Sequence, residues 1–206
     1  MLKKYFRKVT GRLPLKSNYK FLVKDWLPLF ELKAASELLE TRRFTRNMGP
    51  VIMPCPQGKR ILVIATHPDD ETFGAGGTLI KAVRAGASVD VLYLADEPRG
   101  NLSGEIMREE ARAVCRRLGA RPHFMGLVQG ALNLDEGTVQ RVHQLVRELR
   151  PDTLFITHLL DDHDDHRLAN RLMLSLAQDC SAEVWAFQVY STVLTNVVVD
   201  ISEVFA

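Results

Sequence analysis

The sequence predicts an α/β protein, with a Rossmann-like, mostly parallel sheet, helices on both faces, and a basic, partly helical N-terminal extension. From about residue 60 onward, apolar runs of strand length alternate with stretches of helical length, which is the pattern of βαβ units. The first of these runs, Ile61–Ala65, is apolar throughout, as expected of a strand buried on both faces. A chain of 206 residues that is 46% hydrophobic has room for one such domain and an appendage.

The predicted domain is preceded by two segments of different character. Residues 1–46 form the basic extension, in which 25–44 has the apolar spacing of an amphipathic helix, and residues 47–59 read as a Pro- and Gly-containing linker to the domain at 60–206. Eight of the 27 Lys and Arg side chains lie in residues 1–24, which contain no acid. This arm predicts weak, salt-sensitive contact with an anionic membrane surface. The alternative is that it packs on the domain with its charges in water.

The elements of the domain follow from apolar periodicity and from the residues that end helices. Gly86 and Gly119 suit helix C-termini, and Pro151 stops the helix before it. The predicted helices are Gly77–Ala85, Glu105–Leu118, Thr138–Leu149 and Arg167–Ala177. After the first strand, the predicted strands are Val89–Leu94, Arg121–Leu127, Thr153–Thr157, Val184–Val189 and Val197–Ile201.

The segment "ATHPDDE" places a histidine and three acids at the end of the first predicted strand. Ligands bind at this end of the strands in open parallel sheets. Acids at Asp69 and Asp70 would suit the start of a helix. That role accounts for one acid, but not for His67 and three consecutive acids ending at Glu71, whose like charges disfavour one another. A bound cation would remove this repulsion. The glycines that follow form no phosphate-loop motif, and close packing of a helix on a strand is their simpler role.

A second cluster, "DDHDDHR" at residues 161–167, follows the fourth strand and therefore opens at the same sheet edge. Together the clusters offer His67, Asp70 and His166 as three ligands with an open side, as in a catalytic zinc site. We expect one divalent ion, Zn²⁺, although Fe²⁺ suits the same ligands. Asp69 is then available as general base, and His163 as acid or oxyanion partner.

Two further acids of this cluster, Asp161 and Asp165, are expected to orient the imidazole rings of the site.

These motifs resemble those of the LmbE/PIG-L family of metal-dependent N-deacetylases. The resemblance runs from about residue 60 to the C-terminus, through "ATHPDDE" with "GAGGT", "REEARAVCRRLGA", "DDHDDHR" and "VVVDIS". It implies a Rossmann-like fold and the removal of acyl groups from N-acylated amino sugars. It also implies the site residues: metal ligands His67, Asp70 and His166, base Asp69, transition-state stabiliser His163 and substrate contact Arg108.

The predicted function is a zinc-dependent hydrolase that removes an N-acetyl group from an N-acetylglucosamine-type conjugate, through a metal-activated water. The substrate is a small amino-sugar conjugate, with lipid-linked sugars among the options. One alternative is a catalytically silent sugar- or nucleotide-binding module, because the chain stops at Ala206, before a lysine-bearing helix usual in the family. Such a chain is either a C-terminally truncated piece or a protein with an incomplete pocket wall. The other alternative, a non-haem Fe(II) oxygenase, fits the ligands but not the strand–helix alternation.

The composition of the chain limits the cellular location and the binding partners that we expect. No apolar run reaches the length of a membrane span, and the N-terminus lacks the apolar core of a signal peptide. Cys55, Cys115 and Cys180 lie far apart without a CxxC pair, so a reducing compartment is expected. We therefore predict a cytoplasmic protein. If the basic arm binds the membrane, the protein would lie at the inner face of that membrane. Outside the arm acids outnumber bases, so no nucleic acid is expected as partner. The oligomeric state is left open.

Overall fold

Five parallel strands form the central sheet, and two more strands form a small parallel pair. In chain order, the strands are β1 (Val51–Met53), β2 (Arg60–Ala65), β3 (Ser88–Tyr93), β4 (Ala120–Phe124), β5 (Thr153–Thr157), β6 (Glu183–Phe187) and β7 (Val197–Val199). In the part of the chain that the structure describes, the helices are α1 (Asp70–Arg84), α2 (Gly104–Leu118), α3 (Glu136–Leu149) and α4 (Asp164–Leu176), followed by a 3₁₀ turn at Ser202–Val204.

The computed structural model describes residues 50–100, 103–176, 180–191 and 195–204, all within the compact unit Pro50–Ala206. The predicted amphipathic helix at 25–44 and the basic arm lie outside the described residues. None of the helices in the described part of the chain has both the length and the apolar character of a membrane span.

The order of the central strands is β4-β3-β2-β5-β6, with every pairing parallel. The chain adds β3 and β4 on one side of β2 and then returns to add β5 and β6 on the other side. The direction of winding therefore reverses between β2 and β5. At such a switch point the loops after the two strands diverge and leave a crevice where ligands bind.

The two faces of the sheet are covered by different helices. Leu62 and Ile64 point to one face, where they pack in a core with side chains of α3 and α4. Ile61 and Val63 point to the other face and share a core with side chains of α1 and α2. All four are essentially inaccessible to solvent. The predicted α/β fold with a parallel sheet and helices on both faces is confirmed.

Helix α1 begins at Asp70, well before the predicted start at Gly77. The glycines of "GAGGT" lower helix propensity and therefore suggested a late start, but tertiary packing outweighs that preference. A Cβ on Gly74 would overlap the ring of Phe187, and a Cβ on Gly77 would lie 2.7 Å from Cδ1 of Ile201. The glycines thus allow close approach of α1 to neighbouring segments, the simpler of the roles considered for them.

The predicted linker contains a strand. Val51–Met53 pairs in parallel with Val197–Val199, and the Val51 N–H donates to the Asn196 carbonyl at 2.8 Å. The run between Pro50 and Pro54 contains no proline, so all three of its residues keep a backbone N–H for pairing. The last predicted strand therefore lies in this small sheet and not in the central one.

Two other boundaries differ from the predicted ones by three residues. Helix α4 starts at Asp164 instead of Arg167, because the acids before Arg167 suit a first helical turn and Asp164 pairs with Arg167 one turn on. Strand β4 ends at Phe124 instead of Leu127, and the chain turns at Gly126, where φ is 76°.

A buried carboxylate joins the edge strand β4 to β3. Asp90 is 4% exposed and accepts hydrogen bonds from Arg121, at 2.9 and 2.7 Å, and from His123 at 2.8 Å. Burial alone would raise the pKa of Asp90, but these hydrogen bonds and charges outweigh it and hold the pKa below its ordinary value. Asp90 therefore stabilises the fold as long as it is ionised.

We predict that Asp90→Asn lowers the free energy of unfolding by about 1 kcal/mol at pH 7, a modest effect because the Arg121 side chain is 65% exposed. Because the folded pKa lies below the unfolded one, this contribution is complete above about pH 4 and is lost as pH falls through the folded pKa. Urea unfolding at pH 7, 5 and 3 should show the deficit shrinking in acid. A Glu110→Gln control, at an exposed position of α2, should show little deficit at any pH. A deficit of Asp90→Asn that persists undiminished at pH 3 would contradict the prediction.

Candidate metal centre and active site

The two sequence clusters meet at the switch point between β2 and β5. His67 follows β2, and Asp70 is the first residue of α1. His163 precedes α4, which follows β5, and His166 lies in the first turn of that helix. The structure thus brings together residues such as His67 and His166, which are 99 positions apart in the chain.

Three donor atoms form a small triangle. His166 Nε2 lies 3.3 Å from His67 Nδ1 and 3.2 Å from Asp70 Oδ2, and His67 Nδ1 lies 3.7 Å from Asp70 Oδ2. Ligands at zinc bond lengths of 2.0–2.1 Å in a tetrahedron are about 3.3 Å apart, so the triangle has nearly the size of one face of such a site. The His67 backbone N–H donates to Asp70 Oδ2 at 2.8 Å and fixes the carboxylate.

The outer nitrogens of both imidazoles face carboxylates. His67 Nε2 lies 3.0 Å from Asp165 Oδ2, and His166 Nδ1 lies 3.0 Å from Asp161 Oδ1, although the latter approach is too bent for a regular hydrogen bond. A carboxylate on the outer nitrogen favours the proton there and leaves the inner nitrogen as a lone-pair donor. This is the orienting role that the sequence predicted for the two acids.

Backbone donors keep these two acids ionised. Burial would raise the pKa of Asp161, but N–H groups of His163 and Tyr190 outweigh it and lower the pKa. Burial likewise opposes ionisation of Asp165, whose pKa is nevertheless lowered by its hydrogen bonds with His67 and the Gly130 N–H. The orienting carboxylates therefore stay negatively charged at neutral pH.

One oxygen of the site has no hydrogen bond. Asp70 Oδ1 is buried and lacks a hydrogen-bond partner among the described residues. A buried carboxylate oxygen left in this state is unfavourable, and a divalent ion beside it would remove the penalty. The nitrogens of His67, His163 and His166, which lie within 4.8 Å of one another, form an overlapping donor set. The smaller triangle with Asp70 matches zinc geometry more closely, and both sets fit a divalent ion.

His163 stands beside the triangle in a defined orientation. Its ring centroid lies 4.7 Å from that of His67 and 4.9 Å from that of His166. The Asp165 backbone N–H donates to His163 Nδ1 at 3.1 Å, so a neutral ring carries its proton on Nε2. Burial, and then the nearby His67 and His166, lower the pKa of His163. The neutral ring at pH 7 is therefore a donor through Nε2–H.

Asp69 lies at the exposed mouth of the site, immediately before α1. Its side chain makes no capping hydrogen bond to the helix, so its carboxylate remains available for chemistry. Partial desolvation of its carboxylate, and then the charge of Asp70, raise its pKa. Its backbone is unusual, with φ at 147° and ψ at −27°, which only glycine adopts readily. Strain of this kind in a non-glycine residue is typical of functional sites.

Arg108 lies on α2 and is held at the end of β3 by acids. Its Nε donates to Asp96 at 2.6 Å, its Nη2 pairs with Glu97, and its Nη1 lies 3.7 Å from Glu105. These ion pairs fix the guanidinium in place. Its role as a substrate contact stays a prediction.

Three contributors to the site were missed by sequence reasoning. Tyr190 stacks on His163 with a centroid distance of 5.7 Å, Gly130 donates to Asp165, and Glu71 accepts the Asp69 N–H. Tyr190 and Gly130 could have been suspected, because each follows a parallel strand at the ligand-binding edge. Nothing in the sequence distinguishes the direction of the Glu71 side chain from those of the two acids before it.

The backbone of Asp69 leads to a stability prediction. We expect metal-free Asp69→Gly to be more stable than Asp69→Ala by about 1 kcal/mol, because glycine adopts a positive φ without steric conflict. At Glu110, within α2, the order should reverse, since glycine disfavours a regular helix. Chemical unfolding of the four variants in the presence of a chelator provides the measurement. An Asp69→Ala protein as stable as Asp69→Gly would show that the strain is absent.

Comparison with known proteins is consistent with this geometry. The family model described as PIG-L: GlcNAc-PI de-N-acetylase matches residues 62–177, more than half of the chain. A 4-oxalmesaconate hydratase of Pseudomonas putida is 29% identical over 144 residues, and the match covers 63% of this chain and 54% of that protein. A diacetylchitobiose deacetylase of Thermococcus kodakarensis is 28% identical over 126 residues, 55% of this chain and 47% of that protein. The chain thus spans about half the length of these curated relatives.

The fold has relatives among solved structures. The conserved protein TT1542 from Thermus thermophilus superposes with a TM-score of 0.58 and 26% identity, over 65% of this chain and 68% of that one. The family model spans the segment from β2 to α4 and thus includes both clusters of the site. The chain belongs to the PIG-L/LmbE family of GlcNAc-PI de-N-acetylase-like proteins.

Proposed function

We propose that this protein is a metal-dependent hydrolase that removes the N-acetyl group from an N-acetylglucosamine-type amino-sugar conjugate. The observation that carries the proposal is the triangle of His67, Asp70 and His166 donor atoms, with an available carboxylate and an imidazole donor beside it. The family and a relative named as a diacetylchitobiose deacetylase support the reaction class. The substrate class follows from these relatives alone.

In this proposal, His67 Nδ1, His166 Nε2 and the Asp70 carboxylate hold one divalent ion, for which we propose Zn²⁺. Such an ion would polarise the substrate carbonyl and lower the pKa of water to about 7. The carboxylates of Asp161 and Asp165 hold the two imidazoles in the tautomer that presents a lone pair. The pocket thus provides the ligands together with the groups that orient them.

Asp69 and His163 act on opposite sides of the reacting amide. The Asp69 carboxylate takes a proton from the attacking water as the oxygen–carbon bond forms, and its raised pKa makes it a better acceptor. His163 Nε2–H donates a hydrogen bond to the carbonyl oxygen as that atom gains negative charge. Asp69 then returns its proton to the leaving nitrogen as the carbon–nitrogen bond breaks, which releases acetate and a free amine.

Arg108 is proposed to contact the conjugate near the end of β3, and lipid-linked sugars remain among the proposed substrates. Contact of the basic arm with an anionic membrane surface stays a prediction, because that arm lies outside the described residues.

The test is acetate release by zinc-loaded protein with N-acetylglucosamine conjugates that are free, lipid-linked or polymeric. Acetate released in equal amount to free amine supports the proposal. Hydration of 4-oxalmesaconate without acetate release would place the protein with its hydratase relative. Tight sugar binding without turnover would indicate a silent binding module, and oxygen consumption with an α-keto acid would indicate an oxygenase.

The ligand set leads to a prediction about metal content. Asp70→Ala should lower bound zinc from about one ion per chain to well below half, because it removes the one carboxylate of the triangle. Elemental analysis after dialysis gives the measurement. Asp164→Asn is the matched control, since that carboxylate is 83% exposed and pairs with Arg167, and it should keep its zinc. Full occupancy in Asp70→Ala would remove Asp70 from the ligand set.

The role of Asp69 leads to a kinetic prediction. Asp69→Asn should keep its zinc and lower kcat by about 10²-fold or more, because the amide cannot accept the proton of water. Steady-state acetate release, with zinc measured on the same samples, checks both parts. Loss of zinc from this variant would instead identify Asp69 as a ligand.

A further inference from the structure

We propose that Glu71 is a positioning residue, which holds the backbone of Asp69 in its strained conformation and so aims the Asp69 carboxylate at the reacting amide. Its consequence for catalysis rests on the proposed function, whereas the positioning itself is a claim about the folded chain. Glu71 lies in the first turn of α1, and its Oε2 accepts the Asp69 backbone N–H at 3.3 Å. Side chains in a helix lean toward the N-terminus, which brings Glu71 back over Asp69.

The placement of Glu71 differs from that of an ordinary acid at a helix start. Such acids usually lie in water, where they interact with the helix dipole. Glu71 is only 1% exposed and lies beside Tyr93 and Cys115, both fully buried. Burial raises the pKa of Glu71, and hydrogen bonds to its carboxylate oppose that rise. Because a buried carboxylate is unfavourable without partners, its contacts are the reason it can lie there.

Those contacts leave the carboxylate little freedom. Thr72 Oγ1 donates to Glu71 Oε1 at 2.8 Å, and the Tyr93 side chain lies close enough to the carboxylate to lower its pKa. The Tyr93 hydroxyl is itself placed by Cys115 Sγ at 3.4 Å. One oxygen is thus held by the Thr72 hydroxyl, and the other is directed at the Asp69 N–H. Through the Glu71 carboxylate, the packed core beneath α1 restrains the backbone of Asp69, the residue before the helix.

The conformation that is held matters for the geometry of catalysis. Asp69 has φ at 147°, and a return to an ordinary φ would rotate its side chain relative to His67 and Asp70. The base must lie within hydrogen-bond reach of the attacking water, and small misplacements reduce rates strongly. A group that holds the Asp69 N–H therefore affects kcat without contacting the substrate.

The test compares Glu71→Ala with Glu71→Gln in the full, zinc-loaded chain. The glutamine keeps a carbonyl acceptor for the Asp69 N–H, and the Thr72 hydroxyl can turn to accept from its amide. We expect Glu71→Ala to lose about tenfold or more of the hydrogen-exchange protection of the Asp69 amide. We also expect about a tenfold lower kcat with KM and zinc content nearly unchanged. Glu71→Gln should restore most of both properties.

A second pair of variants covers the case in which Glu71→Ala does not fold. Thr72 is exposed, and Thr72→Val removes the hydroxyl that donates to Glu71 Oε1. Thr78→Val makes the same change later in α1. We expect Thr72→Val to reduce both Asp69 amide protection and kcat, and Thr78→Val to change neither. Unchanged amide protection in Glu71→Ala or Thr72→Val would overturn the proposal, as would a folded Glu71→Gln as impaired as Glu71→Ala. The hydrogen-exchange protection of the Asp69 amide can be measured whether or not the protein releases acetate. This measurement therefore tests the inference separately from the proposed function.

Discussion

The site depends on the burial of one carboxylate, that of Asp70, among imidazoles at the crevice between β2 and β5. A buried carboxylate is unfavourable unless polar groups contact it, and here imidazoles lie beside it on both sides of the crevice. His67 and His166 approach the carboxylate from two strand ends, while Asp161 and Asp165 hold their outer nitrogens. A divalent ion at the triangle would place positive charge between the Asp70 carboxylate and these two outer carboxylates.

Sheet topology makes this arrangement available. In a five-stranded sheet of order β4-β3-β2-β5-β6, β2 and β5 are neighbours in space although two whole βα units separate them in the chain. Both end at the same edge, where β2 is followed by Asp69 and Asp70, and β5 is followed by His163 and His166. The glycines of α1 let that helix approach Phe187 and Ile201, so its first turn lies close to the edge. The groups of the proposed site therefore lie at or next to the ends of regular elements and not on long loops.

Much of this could be predicted from the sequence, because continuous apolar runs and helix-ending glycines report buried strands and helix ends directly. The clusters of His67 and His163 were recognisable because their side chains are costly at strand ends without a ligand. The early start of α1 and the pairing of Val51–Met53 depend on partners distant in the chain, such as Phe187 and Val197–Val199. The direction of a side chain such as Glu71 depends on the core it enters, which periodicity does not encode.

The separation of the two clusters along the chain has a thermodynamic consequence. His67 and His166 belong to segments that meet only when β5 pairs with β2, so an unfolded chain offers no such set of donors. An ion that binds the triangle therefore binds the native state alone and adds its binding free energy to that of folding. In a cell, the supply of metal would then regulate the abundance of this protein as well as its activity. Chains that fail to acquire an ion would unfold more often and be removed sooner by proteases.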